Sequence, residues 1–195
     1  MTTETKPPRK PAGRPRQFTE ADVLRSAMDV FWAHGFEGTS IRDLETATGL
    51  QKGSLYAAFE NKAALYLRAL GQYEADVVDA GCEMLRTHPD PREALFLLFN
   101  GPIAAVESGD LRGCFLCNAS ADRAEHDVPT ARLVARGYAK LTDALADTVS
   151  RWRPDADARR TAHHLLATYT GLRVLSRSGI GLDVLRDARD AALAG

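Results

Sequence analysis

The chain has 195 residues, of which 45% are hydrophobic and 26% charged, and its formal net charge is −1. This composition is ordinary for a globular protein, and the length fits one domain or two small ones. The sequence contains neither the apolar core of a signal peptide nor a run of about 18 apolar residues, so we expect a cytoplasmic protein. Its 3 cysteines argue against a disulfide scaffold.

Basic residues are concentrated in the first 17 positions, where a single acidic residue, Glu4, accompanies Lys6, Arg9, Lys10, Arg14 and Arg16. This segment is rich in proline and poor in apolar residues, which predicts an arm that stays disordered until it meets a polyanion. The run Gly13-Arg14-Pro15-Arg16 resembles the core of an AT-hook, whose arginines lie along the narrow minor groove of A·T-rich DNA. The alternative is a solvated arm that only aids solubility.

The first predicted helix begins after Thr19, which can cap it together with Asp22 in the capping-box position. Apolar residues then recur at helical spacing from Val23 to Phe31, and Gly35 ends the pattern. These signals predict an amphipathic helix that packs one face inward.

Two further short helices with a tight turn between them are predicted from Thr39 to Lys62. Ser40 can cap the first, with Asp43 in the box position, and Gly49 can supply the left-handed residue that ends it. The second, from Gln51 to Phe59, is predicted to turn three residues inward and a small, polar face outward. The inward residues are Leu55, Ala58 and Phe59, and the outward ones are Gln51, Lys52, Ser54 and Ala57. A small, polar outer face is what a recognition helix needs to approach base edges in the major groove.

Residues 18–66 resemble the TetR-type transcriptional regulators. The resemblance is carried by Phe31, Gly35-Phe36, Thr39-Ser40-Ile41, Gly49, Gly53-Ser54-Leu55-Tyr56, Phe59 and Lys62. It implies an all-α fold in which a helix-turn-helix DNA-binding domain, residues 18–66, is followed by a helical effector-binding and dimerisation domain, residues 67–195. It also implies a DNA-binding protein. The sequence contains no catalytic constellation and no phosphate-binding Gly loop, so we expect that the protein is not an enzyme and needs no cofactor.

This resemblance implies phosphate contacts from Thr39 or Ser40, from Tyr56 and from Lys62. Hydroxyl groups and free N–H groups at the start of a helix suit an anion. Arg42 can reach a phosphate or a base, and the arm adds Arg14 and Arg16. The candidates for base edges are Gln51, Lys52, Gly53, Ser54 and Ala57. The alternatives are that Lys62 is a plain solvated lysine and that Tyr56 only packs on the first helix.

The rest of the chain predicts five more helices, at about residues 62–88, 91–106, 130–152, 155–178 and 182–194, with an irregular segment at 108–128 and a kink or end at Gly101-Pro102. Apolar stripes on the last two helices predict a two-fold four-helix interface. Its residues are Leu165, Tyr169, Leu172, Leu175, Leu182, Leu185 and Ala188. The alternative is that both stripes pack within one chain.

The resemblance also implies an effector pocket, for which an apolar cavity with aromatic walls is expected. The predicted residues are Phe96, Phe99, Cys114, Phe115, Asn118, Tyr138, Trp152, His163 and Tyr169. For each aromatic residue the alternative is ordinary core packing.

Cys114 and Cys117 leave three interpretations open: inert packing, a thiol switch for oxidants or electrophiles, or half of a zinc site completed by Asp122 or His126. The sequence therefore predicts a dimeric repressor that a small molecule releases from a palindromic operator. The first alternative is a thiol sensor of the same fold that uses Cys114 and Cys117, and a more remote one is a helical protein-binding module without DNA activity.

Overall fold

The computed structural model describes residues 19–194, and within this range the chain is all-α and contains no strand, which confirms the predicted fold class. The predicted basic arm, with Arg14 and Arg16, lies outside the described residues. None of the helices described is long and apolar enough to cross a membrane. The helices are α1 (Glu20–His34), α2 (Ile41–Thr48), α3 (Lys52–Phe59), α4 (Lys62–Tyr73), α5 (Asp79–Thr87), α6 (Pro91–Glu107), α7 (Phe115–Asp122), α8 (Val128–Trp152), α9 (Ala158–Leu175) and α10 (Leu182–Leu193).

Side-chain caps fix the ends of the first helices, as the sequence predicts. The Thr19 and Ser40 hydroxyls accept from the N–H of Asp22 and Asp43, each at 3.2 Å, and both capping boxes are closed. Gly49 ends α2 with φ 70°, a left-handed conformation that costs glycine little. These caps satisfy N–H and C=O groups that the helices leave unpaired at their ends.

A first hydrophobic cluster joins α1, α2 and α3 to α4 and continues into α7. Phe31, Leu44 and Leu55 are fully buried in it, and so is Phe115 of α7. Val134 of α8 completes the same cluster. The core beneath the helix-turn-helix is thus shared with the following helices, and the division of the chain at residue 66 stays a prediction.

A second hydrophobic cluster lies among α5, α6, α8, α9 and α10. Its centre contains Leu85, Leu95, Leu145 and Leu185, all without exposed surface. The residues of α8 that face this cluster are Leu141, Leu145 and Val149, which recur at helical spacing, whereas Val134 belongs to the first cluster.

The predicted long helix from Lys62 to about His88 is interrupted by a π-helical segment, Glu74–Val78, between α4 and α5. Glu74 is buried there, and its carboxylate accepts from the Arg136 Nε at 2.9 Å and lies 3.0 Å from the Lys140 Nζ. A π-helical turn is rare, and such turns often occur at functional sites. By contrast, α6 runs without a break past Gly101 and Pro102.

Four of the seven predicted interface residues on the last two helices are buried within the single chain, and the interface itself stays a prediction. Leu165, Tyr169, Leu172 and Leu185 are at most 7% exposed in the single chain, so they have no surface left to bury against a second copy. Leu175, Leu182 and Ala188 are partly buried against the same cluster. Helical spacing identifies a buried face without saying what buries it, and here the partner is intramolecular.

Candidate functional site

The outer surface of α3 is small, polar and exposed. Leu55 and Phe59 are buried beneath it, whereas Gly53, Ser54 and Ala57 face solvent. Ala58 is also exposed, contrary to the sequence prediction, because only the Leu55–Phe59 edge of this short helix reaches the core. The exposed arc is therefore wider than the sequence pattern indicates.

Glu45 of α2 positions the start of α3. Its Oε1 accepts a hydrogen bond of 2.6 Å from the Lys52 N–H, in the first turn of α3. A carboxylate at a helix N-terminus satisfies an unpaired donor and complements the helix dipole. Gln51 occupies the N-cap without using its side chain there, which leaves its amide exposed. Sequence reasoning missed Glu45, although an acidic residue just before a Gly turn and a helix start was a usable signal.

Two of the predicted phosphate contacts differ sharply in accessibility. Thr39 is 1% exposed and its hydroxyl donates to the Gly35 carbonyl at 2.6 Å, so its side chain is turned inward, and the phosphate contact at Thr39 or Ser40 stays a prediction. Ser40 is exposed, but its hydroxyl donates to the Asp43 carboxylate at 2.7 Å. The hydrogen bonds from Ser40 hold the pKa of Asp43 below its ordinary value. Ser40 therefore serves first as a helix cap.

The basic candidates lie on the exposed side of these helices. Arg42 and Lys52 line a shallow groove between α2 and α3, together with Gln51 and Gly53. The Lys62 Nζ lies 4.3 Å from the centre of the Phe36 ring, at the start of α4. Tyr56 is partly buried, with the Lys52 Nζ 5.8 Å from its ring centre. The groove thus combines the two positive side chains of Arg42 and Lys52 with amide and backbone groups, beside the one carboxylate of Glu45.

A cavity of about 200 Å³ lies deeper in the molecule, between the π-helical segment and α9. Of the predicted pocket residues, Cys114, Tyr138 and Tyr169 line it, and Cys117 does so as well. The remaining walls are Tyr73, Val77, Val78, Gly81, Met84, Leu97, Leu98, Gly101, Leu116, Leu141, Thr170 and Arg173.

The other predicted pocket residues do not line this cavity. Phe99 and Phe115 are core residues, at most 1% exposed, and His163 is exposed on α9. Phe96 and Trp152 instead pack under the guanidinium groups of Arg189 and Arg153, and the Asn118 amide donates to the Arg112 carbonyl at 3.0 Å. Aromatic residues on amphipathic helices fill the core first, which explains the positions of Phe99 and Phe115.

The polar end of the cavity is formed by Tyr73, Cys114, Tyr169 and Arg173. The Tyr73 hydroxyl donates to the Cys114 sulfur at 3.4 Å, and the Arg173 Nε donates to the Tyr169 hydroxyl at 2.8 Å. A hydrogen bond from the Cys117 thiol, helped by the charge of Arg173, lowers the pKa of Cys114 to about 6 against the opposing effect of burial. Hydrogen bonding to Cys114 and burial raise the pKa of Cys117.

The zinc interpretation of the cysteines has no support in the part of the chain that is described. Residues 19–194 contain no group of three or more His, Cys, Asp or Glu side chains placed to hold a metal. Asp122 instead accepts from the Phe36 N–H at 3.2 Å, and His126 is exposed.

Aromatic rings connect the cavity to the helix-turn-helix. The Tyr73 ring lies edge-on to Trp32 of α1 at 5.0 Å and to Phe115 at 5.7 Å. Phe115 in turn lies 5.5 Å from Tyr66, which meets Phe31 at 5.1 Å. Sequence reasoning did not select Tyr73 or Arg173, because their roles depend on neighbours that are distant in the chain.

Comparison with known proteins agrees with this arrangement. Residues 23–69 match the family model described as bacterial regulatory proteins, tetR family. An uncharacterised helix-turn-helix transcriptional regulator of Bacillus subtilis, YezE, is 28% identical over 93% of this chain and 97% of its own length. The Escherichia coli transcriptional repressor ComR is 28% identical over 94% of this chain and 91% of its own.

A solved structure with the same fold is that of a cysteine mutant of the TetR-family regulator CifR, in complex with a 26-base-pair double-strand operator DNA. It is 25% identical, its TM-score is 0.80, and the match covers 94% of this chain and 99% of that one. The fold and the exposed helix-turn-helix define a transcriptional regulator, and the relatives in this class are not enzymes. Residues 23–69 thus match the DNA-binding part of the tetR family, and over most of its length the chain is similar to a TetR-family regulator of known structure.

Proposed function

We propose that this protein binds operator DNA by placing α3 in the major groove and that it acts as a repressor. The exposed, small outer face of α3 carries the proposal, because it lets the helix backbone approach base edges. Gln51, Lys52, Gly53, Ser54 and Ala57 would meet the bases, and Ser40, Arg42, Tyr56 and Lys62 the phosphates. The CifR complex with operator DNA and the named repressor ComR support this assignment.

The proposed DNA-binding unit is a homodimer on a palindromic operator. One small helix-turn-helix unit covers too little DNA for strong specificity, so two copies related by a two-fold axis are needed. The outward faces of α9 and α10 offer exposed apolar residues for this contact, among them Val174 and Val184. These faces replace the buried stripes that the sequence pattern selected.

The proposed control is release of the operator by a small molecule in the cavity. The cavity wall includes Tyr73, which also contacts Trp32 in the first helix of the DNA-binding region. A ligand that moves α4 would therefore change the spacing of the two recognition helices in a dimer. On this proposal residues 67–195 carry effector binding and dimerisation.

The test is binding of the purified protein to its own upstream DNA, measured by fluorescence anisotropy across a salt series with Ala57→Leu and Ala139→Leu as matched variants. Both alanines are exposed, one on α3 and one on α8. A larger side chain on α3 holds the helix off the bases, so we expect Ala57→Leu to weaken binding by about tenfold or more, and Ala139→Leu to bind as the wild type does.

Salt dependence and sequence choice decide the result. Steep salt dependence of the affinity, together with a palindromic site that the protein protects in a footprint, supports the proposed DNA-binding regulator. If neither upstream DNA nor randomised DNA is bound specifically, the proposal fails and a helical protein-binding module becomes the better interpretation. Equal effects of the two leucine variants would remove α3 from the interface.

The alternative control is a thiol switch, since both Cys114 and Cys117 line the cavity and the pKa of Cys114 is lowered to about 6. Diamide treatment should then release DNA from the wild type and leave the Cys114→Ser variant bound. Retention of DNA by both proteins under oxidation would exclude this alternative.

A further inference from the structure

The cavity contains one charged side chain among its lining residues, Arg173, and no carboxylate. In residues 19–194 no Asp or Glu oxygen lies within ion-pair distance of this guanidinium. Other partly buried arginines do have such partners: Arg112 pairs with Asp110 at 2.8 Å, and Arg123 with Asp127 at 3.0 Å. Arg173 therefore differs from these arginines in facing an apolar cavity without a carboxylate.

The hydrogen bonds of Arg173 leave most of its donors available. Its Nε donates to the neutral Tyr169 hydroxyl, and its other nitrogens carry the planar pair of N–H donors that matches a carboxylate. The nearby Cys114 sulfur is a single soft atom that cannot accept the bidentate pair. Retaining a guanidinium in such a site is costly unless an anion pairs with it.

The remaining walls limit what can accompany the anion. Val78, Met84, Leu98 and Leu141 form the apolar part of the cavity. Val77 and Leu97 are 37% and 44% exposed and lie at its rim, which gives an apolar entrance from solvent. The volume of about 200 Å³ is smaller than that of typical drug-sized sites, which begin at roughly 300 Å³. A single ring or a short aliphatic chain fits this space.

We propose that the cavity binds a small organic carboxylate, with its oxygens paired to Arg173 and its aromatic or short aliphatic body against Met84, Leu98 and Leu141. The inference rests on the effector role given to this cavity under the proposed function, and it names the chemical class of the effector. A neutral molecule of equal shape leaves the guanidinium unpaired and binds more weakly.

The position of the carboxylate also connects it to the DNA-binding region. It would lie beside Cys114, whose sulfur accepts the hydrogen bond from Tyr73. Tyr73 packs against Trp32, and Arg112 stacks on the same indole at 4.1 Å and pairs with Asp29 at 2.9 Å. A carboxylate that displaces the Tyr73 hydroxyl would therefore disturb the contact of Tyr73 with Trp32 and, through the shared indole, the contact of Arg112 with α1.

The test compares isosteric probes, phenylacetate with phenylacetamide and hexanoate with hexanamide, by calorimetric titration of the full-length protein. The variants are Arg173→Met, Arg173→Lys and, as a matched control, Arg177→Met, an exposed arginine one turn further along that does not line the cavity. We expect at least one carboxylate to bind the wild type and Arg177→Met about tenfold or more tightly than its amide. Arg173→Met should lose this preference, and Arg173→Lys should retain part of it.

Three results would overturn the inference: amides that bind as tightly as carboxylates, a preference that survives Arg173→Met, or no carboxylate binding at millimolar concentration. Thermal unfolding of each variant shows whether a lost signal is a lost fold, and Arg173→Lys keeps the charge if Arg173→Met unfolds. Operator binding is measured separately, without and with each probe. Binding of a carboxylate without any effect on operator binding keeps this ligand class and refutes release by it. Intact operator binding without any carboxylate binding refutes the ligand class and keeps the DNA-binding assignment.

Discussion

The DNA-binding region and the cavity region differ in how their structure is held. In α1 to α3, side chains cap helices three residues away, as Thr19 with Asp22 and Ser40 with Asp43 do. Where α8 packs on the π-helical segment and on α5, contacts join residues about sixty positions apart, such as Glu74 with Arg136 and the Thr148 hydroxyl with the Leu85 carbonyl at 3.0 Å. The first region is specified locally, and the second depends on packing between distant helices.

This difference matters for function. A recognition surface must keep one shape for its DNA, and short-range caps give each helix fixed ends. An effector site must be able to change, and a π-helical segment with a cavity beside it is a suitable place for that. Phe115 belongs to both regions, because it contacts Tyr66 and Tyr73 along α4.

The largest expected effect is that of Phe115→Ala, which tests whether the two regions are separable. The ring is 1% exposed between Tyr66 and Tyr73, so its loss leaves a cavity and should cost about 3–5 kcal/mol. We expect one urea transition in which both regions unfold together. The control is Phe96→Ala, at a partly buried ring elsewhere, which should cost less. A loss below about 1 kcal/mol would show that Phe115 does not join them.

Next in size is Glu74→Gln, which tests the long-range contacts of the cavity region. Burial opposes ionisation of Glu74, but hydrogen bonds from Arg136 and Lys140 prevail and hold its pKa below the ordinary value of 4.5. The resulting stability is present above pH 4.5 and lost as the pH falls through the folded-state pKa.

The variant should therefore unfold about 1–3 kcal/mol more easily than the wild type near pH 7, with a difference that shrinks in acid. Denaturant unfolding across a pH series measures this, with the exposed Glu83→Gln as control. An equal loss of unfolding free energy at every pH would show that the charge of Glu74 does not stabilise the fold.

A smaller effect is expected from Glu45→Ala, which tests the position of α3. Removal of the carboxylate leaves the Lys52 N–H without its 2.6 Å partner and should cost about 1 kcal/mol together with a loss of operator affinity. Glu45→Gln keeps an acceptor oxygen and should recover most of both. If both variants bind DNA as the wild type does, α3 does not depend on this contact.

The smallest expected effect is a gain from Glu60→Gly. Glu60 has φ 65° between α3 and α4, and the Asn61 N–H donates back to the Phe59 carbonyl at 2.7 Å, a tight turn that is strained for any residue with a Cβ. Glycine should raise the free energy of unfolding by about 0.5–1 kcal/mol. Glu125→Gly, at an exposed turn without positive φ, should instead lower it or leave it unchanged. A loss at both positions would mean that Glu60 carries no strain.

The sequence by itself determined the all-α class, the helix-turn-helix and most of its exposed face. The interactions behind these features are local: they involve Ser40 with Asp43, Gly49, and the run from Gly53 to Phe59. Because the interacting residues are only a few positions apart, the sequence pattern contains all the information that is needed to predict them. The TetR resemblance depends on these same positions.

The tertiary structure alone decided which residues these patterns bring together. Helical spacing marked Leu165 and Leu172 as buried, and Phe99 and Phe115 as aromatic, without saying whether a partner, a ligand or the core would cover them. Thr39 turned inward and Glu45 reached α3 through contacts across a loop. The cavity with Arg173 arises where several helices meet, and a one-dimensional pattern carries no information about that meeting because the contacts join distant residues.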